Sequence, residues 1–590
     1  MGVPGFFISL CSKFTNTKFV FSKSDLVSDV TSYDHKIDSI NELYLDANCL
    51  IHPVCFKVYN ENKLLSISNP IKLEEKMIKE VILYIELIIN YVNPNNLVYI
   101  AIDGVAPMAK IKHQRIRRFK SIIDNELKEN IAKKHHIEYI KPWNNSAITP
   151  GTEFMAKLTN AIVNYINLKK QNNITNPNKV NYIFSTANSV GEGEHKILQY
   201  IRSNLLINKT RIIYGLDADL LYLALASQAS NIYLLREVSE FQNMKSDDLF
   251  CYVSIDVMKD CIFQDISNDL ECINKIELKE RFIQDYIFMG FLLGNDFLPA
   301  LPSVNLLITK KNLSGLEILL RVYQEVFTEI NKDKLDNYEF LVQINPSIKI
   351  SYNFITKLFL ALKAEEEPYF RAKYKIKKFI RPFQGVDEYN LEIYNLENLM
   401  FKIPDLFELG KSTVTIESSK IRYYKHYYPD QDINPAINDY FKGLYWNLYY
   451  YFDKCPDYKF YYTHHKAPFV SDIYNWIVEN ETIIEEMDKL YPTINDYYKI
   501  IKPIQQLLMV LPIQSAYLLP KNYKNIMIEL PEYYPKDVKQ DYQLITRYWQ
   551  ALPEIKIIEP DFIWSKIKDI KLTDKENDRN KFKKVYELIV

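Results

Sequence analysis

The chain has 590 residues, a formal net charge of −1 and a hydrophobic fraction of 47%. This length is enough for two or more packed modules, and the composition is that of a globular protein. Because the net charge is close to zero, the sequence excludes a protein that binds polyanions through its overall charge, and any nucleic-acid surface must be local.

Neither the cysteines nor the apolar segments suggest export or membrane insertion. The seven cysteines show no CxxC pair and no zinc-type spacing with histidine, which predicts a reduced intracellular protein. The segment MGVPGFFISL lacks the basic region and cleavage site of a signal peptide. The best apolar run, residues 81–92, is too short to span a bilayer and contains Glu86. We therefore expect a soluble protein without a membrane partner.

Over roughly the first 300 residues, short β-branched and aromatic runs alternate with helical patterns, as in an α/β sheet domain. The predicted strands are residues 43–45, 98–102, 182–185, 211–214 and 232–235. The predicted helices are residues 73–92, 110–123, 153–168 and 195–205. Residues 305–420 are predicted to be mostly helical, and residues 423–476 are dense in aromatics.

Acidic residues follow three of these strands. LYLD ends at Asp46, VYIAID ends at Asp103, and RIIYGLDAD contains Asp217 and Asp219. Three further acids are Glu192 and Glu194 in GEGEHK and Asp296 in GFLLGNDFLP. A cap or turn is the ordinary role of one such residue, but ligands bind at the carboxyl ends of strands in open α/β sheets.

Seven carboxylates grouped at one edge would repel each other unless cations lie between them. Oxygen ligands of this kind suit Mg²⁺ or Mn²⁺. Two such ions about 3.5 to 4 Å apart are a known arrangement for phosphodiester hydrolysis. The sequence therefore predicts a site for two Mg²⁺ ions, with Mn²⁺ as a substitute.

A basic segment, AKIKHQRIRRFK, comes shortly after Asp103. Residues 110–120 contain six lysines or arginines and no acid. In a helix, one face would present Lys110, Gln114, Arg117 and Arg118. Such a face could bind a phosphate, since arginine offers two parallel donors and lysine a point charge. A solvated basic face is the alternative.

These segments, in this order, resemble the Xrn-type 5′→3′ exoribonuclease family. The first conserved region is matched by MGVPGFF, LYLDANCLIH, IAIDGVAP with the basic segment, ITPGTEFM, GEGEHKI, YGLDADL, LLREV and FLLGNDFLP. The second is matched by GLYWNLYYYF, YYTHHKAPFVSD and LLMVLP with LLPKNY. Length and composition suggest a compact version of the family, with a viral source as one option.

The resemblance implies a fold and a division of the chain. The fold class is α/β, with a PIN/FEN-like mixed sheet flanked by helices and a largely helical C-terminal region packed against it. Residues 1–310 would form the catalytic α/β nuclease region, residues 311–420 a mostly helical connecting region, and residues 421–590 a second conserved region over the active site.

The resemblance also implies roles for individual residues. The metal-binding and catalytic carboxylates would be Asp46, Asp103, Glu192, Glu194, Asp217, Asp219 and Asp296. The 5′-phosphate pocket would be formed by Lys110, Gln114, Arg117 and Arg118. His52 matches a histidine that stacks on a base near the 5′ end. Tyr458 and Phe460, in CPDYKFYY, stand where the family commonly has tryptophans, and either stacking on RNA or a place in the core is open to them.

The sequence departs from the family pattern at three places near the site. Cys49 stands where the family usually has glycine, Met108 replaces a basic residue, and the proline that usually precedes GEGEH is absent. None of these positions is a matched ligand. The departures therefore leave activity in place and bear on loop geometry.

The resemblance implies a Mg²⁺-dependent 5′→3′ exoribonuclease that hydrolyses single-stranded RNA from a 5′-monophosphate end to 5′-mononucleotides. Its place would be cytoplasmic RNA decay, in the host cytoplasm for a viral protein, with the nucleus as an alternative. Decapping or other RNA-decay proteins are the expected partners. Two other functions remain open: a flap-type endonuclease acting on DNA, and a catalytically idle RNA-binding scaffold.

Overall fold

The fold is described from a computed structural model. It describes residues 13, 20–22, 37, 39–173, 180–205, 209–240, 248–268, 270, 276–304, 314–334, 336–375, 382–409, 413–429, 432–491, 501–582 and 586–588.

A mixed sheet of eight strands takes seven strands from the first half of the chain and one from the end of the second half. Its strands are β1 (Val20–Ser22), β2 (Glu42–Asp46), β3 (Leu97–Ala101), β4 (Asn181–Ser185), β5 (Arg211–Tyr214), β6 (Ile232–Glu237), β7 (Phe250–Ser254) and β12 (Tyr586–Leu588), in the order β1-β7-β6-β5-β2-β3-β4-β12. The five central strands β6, β5, β2, β3 and β4 are parallel, and the outer pairs are antiparallel. Every residue of β2 and β3 is buried, as expected for parallel strands covered on both faces.

All five predicted strands are present, within two residues of the predicted ends. The sheet is wider than predicted, because β1, β7 and β12 extend it at both edges. β7 has the sequence FCYVS and follows β6 as its antiparallel neighbour. Its run of aromatic and β-branched residues is a normal strand signal, so it could have been found from the sequence.

Helices cover both faces of this sheet. They are α1 (Asn48–Glu61), α2 (Leu65–Ser68), α3 (Pro70–Val92), α4 (Met108–Lys134), α5 (Glu153–Asn173), α6 (Gly193–Ser203), α7 (Ala218–Leu225), α8 (Ile255–Ile266) and α9 (Lys279–Leu292). α3 shows why the sequence folds this way: Asn69 caps it, Pro70 begins it, and the left-handed Asn93 ends it. Its buried residues recur every three or four positions and form the face toward the sheet.

The rest of the chain is largely helical. Its helices are α10 (Gly315–Asn331), α11 (Tyr352–Lys375), α12 (Glu388–Glu397), α13 (Ile416–Tyr427), α14 (Asn434–Phe452), α15 (Val470–Glu479), α16 (Glu481–Met487), α17 (Pro503–Val510), α18 (Lys521–Glu529), α19 (Pro560–Ile567) and α20 (Asp574–Asn580). The short strand pairs are β8 (Val342–Gln343) with β9 (Lys349–Ile350), and β10 (Gln540–Asp541) with β11 (Leu552–Pro553). The aromatics of α14 are almost all buried, so this segment is mainly core.

The helix α4 joins the two halves of the molecule. Arg115 is completely buried and donates to the carbonyl oxygens of Met509, Lys556 and Tyr533, at 2.9 Å for Met509 and 3.0 Å for Lys556. Lys112 donates to the carbonyl oxygens of Tyr462 and His464 at 2.6 and 2.8 Å. The helical region therefore packs directly on the α/β region.

The predicted fold class is confirmed: a mixed sheet flanked by helices, with a largely helical C-terminal region packed against it. The division at residues 310 and 420 stays a prediction. Within the described residues, no helix is both long and apolar enough to cross a membrane. The described cysteines are all free thiols.

Candidate active site

The sheet brings three of the predicted aspartates to one edge. Asp46 is the last residue of β2, Asp103 comes just after β3, and Asp217 follows β5 as the N-cap residue of α7, without a side-chain capping hydrogen bond. β2 lies between β3 and β5, and all three are parallel. The carboxyl ends of the three strands therefore lie at the same edge of the sheet, with β2 in the middle.

The start of α6 adds Glu192 and Glu194 to this edge. Glu192 is the N-cap residue, Glu194 lies in the first turn, and the Gly193 amide donates to Asp103 Oδ1 at 2.7 Å. A Cβ at Gly193 would lie 2.6 Å from Asp46 Oδ1, so this close approach needs glycine. The positive end of the helix dipole also favours the negative charges gathered there.

Lys110 ties the remaining carboxylates together. Its ammonium lies 2.6 Å from Glu192 Oε2 and 2.9 Å from Asp296 Oδ2. Burial alone would lower the pKa of Lys110, but Asp296 and Glu192 outweigh it and hold that pKa well above its ordinary value. Asp296 is buried as well, yet His113 and Lys110 hold its pKa well below its usual range.

A cavity of about 640 Å³ opens over these residues. Five of the seven predicted carboxylates line it, and we call these the carboxylate wall: Asp46, Asp103, Glu192, Glu194 and Asp217. Asp219 and Asp296 lie next to this wall, because Asp219 interacts electrostatically with Glu194 and with Asp296. The structure thus brings all seven predicted carboxylates together.

The charges of this cluster call for a cation. Burial, followed by the charge of a neighbouring carboxylate, raises the pKa of Asp103 to about 6 and that of Asp219 to about 7. The same two causes raise the pKa of Asp46 and of Glu194 well above the ordinary range. One oxygen each of Asp46, Glu194 and Asp219 is buried without a hydrogen-bond partner among the described residues. Oxygens in this state fit a bound divalent cation such as Mg²⁺.

The four predicted phosphate-pocket residues line the same cavity, and we call them the basic wall: Lys110, Gln114, Arg117 and Arg118. Arg118 donates through Nη2 to Thr149 Oγ1 at 2.7 Å, while its buried Nη1 has no partner in the described part of the chain. Burial and then Arg117 lower the pKa of Arg118 to about 9. Gln114 accepts a 3.3 Å hydrogen bond from Gln506. A buried guanidinium with an unused donor suits an anionic ligand.

A short strip of α1 also lines the cavity, with His52, Pro53 and Phe56. Burial, followed by the charges of Arg117 and Arg118, lowers the pKa of His52 to about 4. Phe56 is 41% exposed, although most apolar side chains of α1 are buried. We call His52 and Phe56 the aromatic edge.

Tyr458 and Phe460 take other places. Neither is among the residues that line the cavity. Phe460 stacks on the buried Trp446 with ring centroids 6.0 Å apart, and the Tyr458 carbonyl accepts a hydrogen bond from the Met108 amide at 2.9 Å. Both side chains are partly buried. Phe460 thus packs on Trp446 and the Tyr458 backbone holds the start of α4. Stacking of either ring on RNA stays a prediction.

The structure adds site residues that the sequence did not reveal. Tyr450 of α14 donates to Glu192 Oε1 at 2.7 Å and stacks on His195 with centroids 3.7 Å apart. Phe56 also belongs here, and its signal was its position one helical turn after His52. Tyr450 gave no such signal, because it lies in an aromatic run among many buried rings.

Carboxylates at the ends of parallel strands, within a mixed α/β sheet, place the N-terminal region in the PIN-like class. Residues 1–238 match the family described as the XRN 5′-3′ exonuclease N-terminus. Residues 276–403 and 415–590 match the one described as the Xrn1 helical domain. The chain belongs to the XRN family of 5′-3′ exonucleases.

Curated relatives agree with this membership. The 5′-3′ exoribonuclease 1 of Homo sapiens is 30% identical over 95% of this chain and 33% of its own length. The 5′-3′ exoribonuclease 1 of Saccharomyces cerevisiae is 26% identical over 99% of this chain and 44% of its own length. The 5′-3′ exoribonuclease 2 of Debaryomyces hansenii is 26% identical over 99% of this chain and 71% of its own length. The chain thus spans between a third and a half of the first two.

Proposed function

We propose that this chain hydrolyses single-stranded RNA in the 5′→3′ direction from a 5′-monophosphate end and releases 5′-mononucleotides. One observation supports this above the others: the carboxylate wall and the basic wall line the same cavity. The site pairs grouped carboxylates with Arg118, whose Nη1 has no partner among the described residues, and this suits a phosphodiester beside a terminal phosphate.

The seven grouped carboxylates, Asp46 among them, would hold two Mg²⁺ ions. Bound Mg²⁺ would supply an activated water and stabilise the charge that develops on the phosphate. The protein's own part is to fix these ligands. The Gly193 amide orients Asp103, and the Tyr450 hydroxyl orients Glu192. Lys110 offsets part of the negative charge, because it bridges Glu192 and Asp296.

The basic wall would bind the terminal phosphate. Arg117 and Arg118 provide guanidinium donors, and a terminal monophosphate offers more charge and more free oxygens than an internal phosphodiester. Water adds to the phosphorus of the second nucleotide, and the bond to the 3′ oxygen of the first nucleotide breaks. The shortened RNA again has a 5′-monophosphate, so each product is the next substrate.

The aromatic edge would hold the bases. A neutral imidazole at His52 and an exposed ring at Phe56 lie one turn apart on α1, and base stacking needs no sequence preference. The 5′ nucleotides would then lie with their phosphates toward α4 and their bases toward α1. The segment of Tyr458 and Phe460 would limit internal entry from outside the cavity lining, since it packs at the start of α4, the helix that carries the basic wall.

Cytoplasmic RNA decay and recruitment by decapping or other decay proteins remain predictions for this chain. Its family membership is in keeping with both.

The test is digestion of RNA labelled at either end, with matched DNA, in Mg²⁺ or in EDTA. The expected result is Mg²⁺-dependent release of labelled 5′-mononucleotide from 5′-monophosphate RNA, with 5′-hydroxyl, 5′-triphosphate and circular RNAs resistant. Rapid cleavage of a circular RNA or of a DNA flap would favour an endonuclease. RNA binding without turnover would favour an idle scaffold.

A further inference from the structure

A cysteine is built into the carboxylate wall. Cys49, in the first turn of α1, donates its thiol hydrogen to Asp46 Oδ2 at a sulfur–oxygen distance of 3.0 Å. Asp46, Cys49 and Asp217 each offer one ligand atom, and these atoms all lie within 4.8 Å of one another. The three residues line the same cavity.

A second observation points to a ligand at this group. Asp46 is 4% exposed, and its Oδ1 has no hydrogen-bond partner in the described part of the chain. An unpaired buried carboxylate oxygen is costly, so a cation beside it would be stabilising. Asp217 is exposed at the cavity, which leaves the group open to solvent ions.

The chemistry of the three ligands decides which cation this position prefers. Mg²⁺ binds oxygen and gains little from sulfur, whereas Zn²⁺ and Cd²⁺ bind thiolate strongly and also accept carboxylate. A cysteine between two aspartates therefore favours a thiophilic ion over Mg²⁺. On binding, the sulfur–hydrogen bond is replaced by a sulfur–metal bond and the proton leaves to solvent.

We propose that Asp46, Cys49 and Asp217 form a site for a thiophilic divalent cation, of which Zn²⁺ is the natural example. The site shares Asp46 and Asp217 with the expected Mg²⁺ ligands, so occupation by Zn²⁺ excludes Mg²⁺ and inhibits the enzyme. The inhibitory part rests on the proposed function, and the binding part does not.

The binding test uses the full chain and Cd²⁺ alone as the probe. Wild type should develop a sulfur-to-Cd²⁺ charge-transfer band in the ultraviolet. Cys49→Ser should lose the part of the band due to this site. Cys55→Ser is the matched control, since Cys55 lies on the same helix but is buried in the core. Equal bands in wild type and Cys49→Ser would overturn the site.

Two further measurements, of cysteine alkylation and of RNA digestion, keep the test from depending on any one variant. In wild type, Zn²⁺ should protect Cys49 from alkylation, and equal labelling with and without Zn²⁺ would refute the site. In RNA digestion at fixed Mg²⁺, the Zn²⁺ concentration for half inhibition should be at least roughly tenfold higher for Cys49→Ser than for Cys55→Ser. Equal values would refute the inhibition. If wild type digests no RNA, the proposed function fails while the band still decides the site.

Discussion

The two walls of the cavity use charge in opposite ways. In and beside the carboxylate wall, one buried oxygen each of Asp46, Glu194 and Asp219 has no hydrogen-bond partner among the described residues. Burial and neighbouring carboxylates raise the pKa of four of the grouped acids, so an external cation would stabilise their charged forms. On α4 most of the cations are already used inside the protein. Lys110 binds carboxylates, Lys112 and Arg115 bind carbonyl oxygens, and Lys120 binds Asp124.

This difference shows that the number of charges in a segment does not give the number available to a ligand. Six cations stand between residues 110 and 120, but Arg117 forms no ion pair with any described residue and Arg118 has one unused donor. Of the others, Lys112 and Arg115 hold the helix against the helical region. The two sides of the cavity can therefore be tested separately. Metal ligands can be removed from the carboxylate wall, and on α4 a cation that binds protein groups can be compared with one that does not.

The largest effect is expected in the carboxylate wall. Asp217→Asn or Glu192→Gln should lower turnover by about a thousandfold or more, because ligands that act together fail together. RNA binding, measured by filter retention, should persist, since the basic wall is intact. Glu325→Gln, an exposed acid on α10, is the control and should keep wild-type turnover. Near-normal turnover of either site variant would refute the carboxylate assignment.

Replacing a cation that already binds protein groups should mainly lower the stability of the fold. Arg115→Met keeps the apolar stem but leaves three carbonyl oxygens, that of Met509 buried, without their donor. The expected loss is roughly 3 kcal/mol or more of unfolding free energy, visible as a drop of several degrees in the thermal midpoint. If the variant instead kept its midpoint and lost only binding of 5′-monophosphate RNA, Arg115 would belong to the phosphate site.

Replacing a cation that forms no ion pair with a described residue should lower activity on one kind of RNA 5′ end and leave the stability of the fold unchanged. Arg117→Ala should lower kcat/KM on 5′-monophosphate RNA by roughly 1.5 to 3 kcal/mol, which is about tenfold or more, as for one lost charged hydrogen bond. The low activity on 5′-hydroxyl RNA should not change. Lys133→Ala, an exposed cation at the far end of α4, is the matched control. Equal wild-type rates on monophosphate, triphosphate and hydroxyl ends would rule out the pocket.

A smaller effect should follow from loosening one ligand of the carboxylate wall. Tyr450→Phe removes the hydroxyl that donates to Glu192 but keeps the ring on His195. The Mg²⁺ concentration for half-maximal rate should rise about tenfold, a usual cost of losing a group that orients a metal ligand. Saturating Mg²⁺ should restore most of the rate. If high Mg²⁺ gave no recovery, the hydroxyl would have another role.

The sequence was sufficient for the five parallel strands and for the acids that follow three of them. Apolar runs identify buried parallel strands, and the carboxyl ends of such strands meet at one edge, so Asp46, Asp103 and Asp217 could be grouped in advance. The spacing of Gln114 and Arg118 likewise placed them on one helix face. These inferences depend on local periodicity and on general sheet geometry.

The sequence was insufficient where the partner of a side chain is remote in the chain. The acceptors of Arg115 lie about 400 residues away, and Tyr450 lies 258 residues from Glu192. No periodicity indicates such pairs, so the structural use of Lys112 and Arg115 was not foreseen. The end of α4 was also placed too early, since it runs to Lys134 through a polar stretch in which the apolar pattern fades.

The smallest effect is expected at the aromatic edge, whose two rings would stack on the bases of the RNA. His52 is expected to act as a neutral ring, because burial and then Arg117 and Arg118 lower its pKa to about 4. The folded protein favours the neutral form of a histidine whose pKa is lowered. The contribution of this histidine to the free energy of unfolding is therefore complete above its unfolded pKa of about 6.5 and is lost as pH falls through 4. Between pH 6 and 8 the ring should not change charge.

His52→Phe should therefore keep kcat/KM within about threefold of wild type, since either ring can stack on a base. The ratio of the two enzymes should be constant from pH 6 to 8, measured on 5′-monophosphate RNA. His52→Ala should lose about tenfold, as expected when a stacked ring is removed. If the advantage of wild type over His52→Phe grew as pH fell toward 6, His52 would be a cation that binds phosphate, and it would belong to the basic wall.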